Sequence, residues 1–60
     1  MITITIATDN AAFEPVPEQE TARILRILCM ELLAHGMTKG DVLPLHDING
    51  NTVGKASIEG

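Results

Sequence analysis

Pro17–Gly36, PEQETARILRILCMELLAHG, is the only stretch of this 60-residue chain long and periodic enough to read as a helix, and the other segments take their places around it. With successive side chains about 100° apart on a helical wheel, Leu32, Leu25, Leu28, Cys29, Ala22, Ile24 and Leu33 fall within one half. An arc this wide suits a helix lying on a sheet, because a coiled-coil seam is narrower. Leu, Ala, Arg, Glu and Met are good helix formers. Pro17 belongs in a first turn, where its missing N–H is not needed. Glu18 and Glu20 complement the helix dipole there. Gly36 can take the backbone conformation that ends a helix, with His35 beside the last carbonyls. The expected helix runs from Pro17 to His35.

The other half of the wheel holds Gln19, Glu20, Arg23, Arg26 and Glu31, as a solvated face does. It also holds Ile27, Met30 and Ala34. Arg23, Ile27, Met30 and Ala34 make a second stripe along one helical edge, which we read as a helix–helix contact joining a homodimer.

Upstream, MITITIAT alternates Ile2, Ile4 and Ile6 with Thr3, Thr5 and Ala7, the period of a strand in strongly β-favouring residues. In the connection DNAAFEPV, Asn10 is placed to cap a short turn over Ala11–Glu14, and Phe13, the single aromatic, is expected to point inward. Downstream of a polar link at Met37–Gly40, DVLPLHD reads as a second strand. Pro44 cannot donate to a ladder, so that strand belongs at a sheet edge. Asn49-Gly50 in INGN is the preferred pair for a two-residue type I′ hairpin turn. Counting outward sets Leu45 opposite Gly54, Leu43 opposite Ala56 and Asp41 opposite Ile58, with His46 facing Val53, Pro44 facing Lys55 and Val42 facing Ser57 on the other side. The fold class that results is α+β: a single β-α-β-β domain over residues 1–60, one helix on a three-stranded antiparallel sheet of order β1-β3-β2, with a right-handed crossover.

Composition narrows the function classes. Eight acidic residues against four basic ones leave a net charge of −4, which argues against nucleic-acid binding. One aromatic makes no base-stacking platform. No apolar run approaches the roughly 20 residues of a membrane span, and the N-terminus alternates where a secretory leader is a basic-then-apolar block. A single cysteine, Cys29, read as an inert thiol on the apolar helix face, fits a reducing compartment, the cytoplasm. Asp47, Asn49 and Asn51 imitate the start of a calcium loop, but the glycine is misplaced and Ile58 stands where a bidentate Glu is required, so the hairpin turn accounts for them. His35 and His46 have no further ligands at zinc spacing. No catalytic, metal or cofactor motif is present, and the chain is expected to be no enzyme. The remaining feature is acidic: Asp9, Glu14, Glu18 and Glu20 all precede Arg23 and form one negative lobe, the expected contact for a basic protein surface.

The segments TDNAAF at Thr8–Phe13, ARILR at Ala22–Arg26 and D-x-NGN-x-VG at Asp47–Gly54 resemble, in order and at this total length, small orphan proteins of tailed bacteriophages and prophages. That group has no assigned activity, so no functional residue is carried over. The second half of the helix is more apolar here than in the group, through Cys29, Met30, Leu32 and Leu33. A phage setting implies a protein that binds a host protein in the host cytoplasm. By analogy with short, acidic anti-CRISPR inhibitors, the implied partner is a CRISPR-Cas component. The alternative is a structural or assembly module whose main property is homodimerisation.

Overall fold

The computed structural model covers residues 1–60. Strand β1 (Ile2–Ile6) leads through a 3-10 turn, Ala11–Phe13, into helix α1 (Pro17–His35), followed by the hairpin of β2 (Val42–His46) and β3 (Thr52–Ile58). The sheet order is β1-β3-β2, both pairings antiparallel, with the helix packed against it. Asn10 caps the 3-10 turn: its Oδ1 accepts the Ala12 amide at 2.8 Å. Pro44 sits on the outer strand β2, where its lack of an N–H costs no ladder bond.

The core is small. Phe13, Ile24, Leu28, Leu45 and Ala56 are buried together, with Ile6, Ala12, Leu32, Leu43 and Val53 packed around them. Ala56 of the central strand β3 is fully buried, and the larger side chains of α1, β2 and the 3-10 turn complete the core around it.

The hairpin differs from the type I′ reading. No residue other than glycine has positive φ, so Asn49 does not occupy a left-handed turn position; Gly50 alone does, at φ 85°. Asp47 N donates to Asn51 O at 2.9 Å, and Gly50 N donates to Asp47 O at 3.0 Å. The loop therefore has three residues, Ile48–Gly50, with glycine at its left-handed last position. His46 pairs with Thr52, not Val53. An irregularity between Leu45 and His46 then leaves Val53 as an extra residue on β3 and restores Leu45 opposite Gly54. The longer loop and the bulge are offsets of one residue each, and they cancel. Hence Leu43–Ala56 and Pro44–Lys55 pair as expected while the turn does not, and Val53 packs against the core instead of lying beside His46.

The buried helical arc is also narrower than expected. Glu20, Ile24 and Leu28, each four residues apart, are its buried residues. Ala22, Leu25, Cys29 and Leu33, expected inside, are exposed. Two physical reasons account for this. Three strands ending in small central side chains cover less of a helix than half its circumference. In addition, 19 residues of helix span about 28 Å at 1.5 Å per residue, whereas a five-residue strand spans roughly 17 Å. After Leu32 the residues of the last turn, Leu33, Ala34 and His35, are exposed.

Candidate interaction surfaces

The four acidic residues of the expected negative lobe divide. Asp9, Glu14 and Glu18 are exposed, whereas Glu20 is only 7% exposed. Its two oxygens are occupied: Oε1 accepts Arg23 Nε at 2.6 Å, and Oε2 accepts Arg23 Nη2 at 3.1 Å and the Ile48 amide at 2.8 Å. The guanidinium beside it holds the Glu20 carboxyl below the usual carboxylate range; burial opposes this, and the Ile48 amide again favours the charged form. Glu20 is thus a pin between the first turns of α1 and the hairpin tip, and it leaves the solvated face to which the wheel assigned it. The wheel held the clue, because Glu20, Ile24 and Leu28 stand at i, i+4 and i+8, in one row with the core.

Arg23 is correspondingly committed. Besides Glu20, its Nη2 donates to the His46 carbonyl at 3.3 Å. The stripe that begins with Arg23 continues through Ile27, Met30 and Ala34, all exposed, with Met30 at 63%. Beside it lies a hollow of about 140 Å³ between α1 and β2, lined by Ile24, Ile27, Leu28, Pro44 and Leu45 together with Arg23, Glu31, His46 and Asp47.

Asp47 is the second buried carboxylate, 4% exposed, and sequence reasoning placed it only in the turn. Its Oδ1 accepts the amides of Asn49 and Asn51, each at 2.9 Å. Its Oδ2 accepts Asn10 Nδ2 at 2.9 Å and Asn51 Nδ2 at 3.1 Å. Burial raises its pKa, but the Asn51 amide and side chain, Asn10 and the Asn49 amide together outweigh burial, and the net shift is downward. The calcium-like spacing therefore builds a closed Asx network, one that also ties the loop after β1 to the hairpin. No buried side-chain polar atom lacks a partner.

Of the remaining singled-out residues, His35 is exposed, and His46 is exposed with its Nδ1 3.3 Å from Thr52 Oγ1. Cys29 is exposed, which corrects its assignment to the core. No helix is long and apolar enough to cross a membrane. Compared with known proteins, the chain matches no family model, no curated protein and no solved structure.

Proposed function

We propose that this protein works by occupying a surface of another protein. The observation that carries the reading is the outer flank of α1: Ile27, Met30 and Ala34 stand exposed in one stripe beside a hollow of mixed apolar and charged lining, in a chain whose core has only a handful of buried side chains. Exposed apolar groups grouped on one rigid helix mark contact surfaces more often than singly scattered ones do. Glu18 stands exposed in the first turn of the same helix, Asp9 and Glu14 are exposed in the connection that precedes it, and these carboxylates favour a basic partner surface, such as that of a nucleic-acid-binding protein. Together with the resemblance to small phage proteins, this supports a non-enzymatic inhibitor of a host defence complex, with a CRISPR-Cas component as the partner.

The test is capture from lysates of bacteria carrying an active CRISPR-Cas system, paired with a plasmid-interference assay in the same cells. The parent chain should retain the effector complex and protect the plasmid. Met30→Glu and the triple change Asp9→Asn, Glu14→Gln, Glu18→Gln should each weaken both effects. Full plasmid clearance in the presence of the folded parent chain overturns the inhibitor reading.

A further inference from the structure

We infer that the free edge of β1 is a self-association surface, and that two copies of this chain join there, antiparallel, into one six-stranded sheet. The ladder between β1 and β3 fixes which groups point outward. Met1 exchanges both hydrogen bonds with Glu59, its N-terminal amine donating to Glu59 O at 2.6 Å and its carbonyl accepting the Glu59 amide at 2.8 Å, and Ala7 N donates to Val53 O at 2.8 Å. In an antiparallel pair such residues alternate, so Met1, Thr3, Thr5 and Ala7 face β3 with their main-chain groups. Those of Ile2, Ile4 and Ile6 face away from β3, and β1 is an outer strand with no strand beyond it.

The two edges of this sheet are unlike. The β2 edge is interrupted by Pro44. The β1 edge, ITITI, has no proline, no charge and no bulge, three of the devices that keep edge strands apart. Its side chains are also under-covered: Ile2 and Ile4 are 37% and 41% exposed, although their ladder partners Ile58 and Ala56 are buried. The Arg23–Ile27–Glu31 side of the helix faces β2 across the hollow that Pro44 and His46 also line, and Arg23 reaches the His46 carbonyl there. The opposite flank, with Leu25, Cys29 and Leu33, is exposed.

The occupant follows from the sequence of the edge. ITITI reads the same in both directions. Antiparallel pairing about a two-fold axis at Ile4 sets Ile4 against its own copy, Ile2 against Ile6 and Thr3 against Thr5. Isoleucine therefore meets isoleucine on the helix side and threonine meets threonine on the other, both favourable cross-strand pairs. The outward amides and carbonyls of Ile2, Ile4 and Ile6 are all satisfied in that register. An isologous contact must be self-complementary in this way. β1 also carries no charge in a chain of net charge −4, so its edge is where two copies approach with least repulsion. Both helices then stand on the same face of the joined sheet.

The test needs no host partner and is therefore independent of the inhibitor reading. Equilibrium sedimentation of the parent chain at about 50 μM protomer, a level that populates complexes of micromolar Kd, should give a dimer. Thr3→Lys with Thr5→Lys places four ammonium groups together at the dyad on the solvent face, and should yield a monomer with unchanged circular dichroism. A synthetic chain with an N-methylated Ile4 amide, which removes one outward donor and leaves the β3 ladder intact, should also be monomeric. Met30→Glu should remain dimeric. A monomeric parent overturns the inference. So does a dimer that survives both β1 changes, or one that dissociates on Met30→Glu, which would place the contact on the helix stripe.

Discussion

Glu20 Oε2 accepts the Ile48 amide at 2.8 Å, across 28 residues of sequence, and so fastens the first turns of α1 to the tip of the β2–β3 hairpin. Arg23 completes the arrangement by neutralising the carboxylate and reaching the His46 carbonyl. Breaking a satisfied buried pair from one side leaves the other groups unpaired. Glu20→Ala should therefore lower the melting temperature by about 5–10 °C, a large step for a domain of this size. Glu18→Ala, on an exposed neighbour, should change it by no more than about 2 °C. Thermal denaturation by circular dichroism compares the two directly.

Acid should act through the same pin and through Asp47. Both carboxyls titrate lower in the fold than in the unfolded chain. Each therefore contributes stability that is complete above the unfolded value of about 4 and is lost as pH falls through the lower folded value. Melting temperature should be level from neutrality to about pH 5 and fall steeply below about pH 4. Asp47→Asn should be less stable at pH 7 and show a shallower acid slope, because an amide cannot accept the same four donors. A variant with the parent's full acid slope would remove Asp47 from this account.

Much of the fold was legible because separate signals agreed. Ile/Thr alternation, Pro44 and the Leu43–Ala56 register all point to the observed sheet, and Pro17 and Gly36 bracket the observed helix. The contact surfaces were less legible for a physical reason. Hydrophobic periodicity records which side chains are apolar, and a sheet of three short strands covers only some of them. Leu25 and Leu33 have the same composition signal as Leu28, and only the width and position of the sheet separate them. Glu20 was misplaced for the opposite reason: a charged residue reads as solvated unless its partners, Arg23 and a main-chain amide 28 positions away, are known.

The hairpin makes a test between two turns that share one sequence. In a type I′ turn both Asn49 and Gly50 need positive φ, whereas in the observed loop only Gly50 does. A Cβ at Gly50 meets no other atom, so backbone strain alone sets the cost. Gly50→Ala should destabilise by about 1 kcal/mol and Gly50→Val by about 1–3 kcal/mol. Asn49→Ala should be within about 0.5 kcal/mol of the parent, since Asn49 contributes only its amide to the Asp47 network. Urea titrations measure all three, and a cost at Asn49 equal to that at Gly50 would restore the two-residue turn.

Gly54 is constrained by space and not by φ. A Cβ there would stand on the Thr5 carbonyl oxygen, with the Thr5 carbonyl carbon at 2.8 Å and Ile6 Cα at 3.0 Å. All three atoms belong to the β1 main chain, which cannot yield without breaking its ladder with β3. Gly54→Ala should cost about 3 kcal/mol or more, unfolding a large share of the molecules at 37 °C. Gly40→Ala offers the contrast: its φ of 93° carries strain, but nothing lies within reach of the added carbon.

The orientation of α1 is open to a three-residue comparison. Leu28 is 3% exposed and Leu33 84% exposed, although both were expected on the buried face. Leu28→Ala should cost about 2–4 kcal/mol through lost burial and a residual cavity. Leu33→Ala should fall within about 0.5 kcal/mol of the parent, because alanine is the better helix former and little contact is lost. Cys29 supplies an independent reading that needs no mutation. Its exposed thiol should react with a disulfide reagent in the native protein at a rate close to that in denaturant, adjusted for thiolate fraction. A thiol protected until the chain unfolds, together with a large cost at Leu33, would turn the helix toward the wider face that its apolar residues outline. A fast native reaction together with the asymmetry between Leu28 and Leu33 would fix the helix on the row of Glu20, Ile24 and Leu28, where its sole buried charge meets the hairpin.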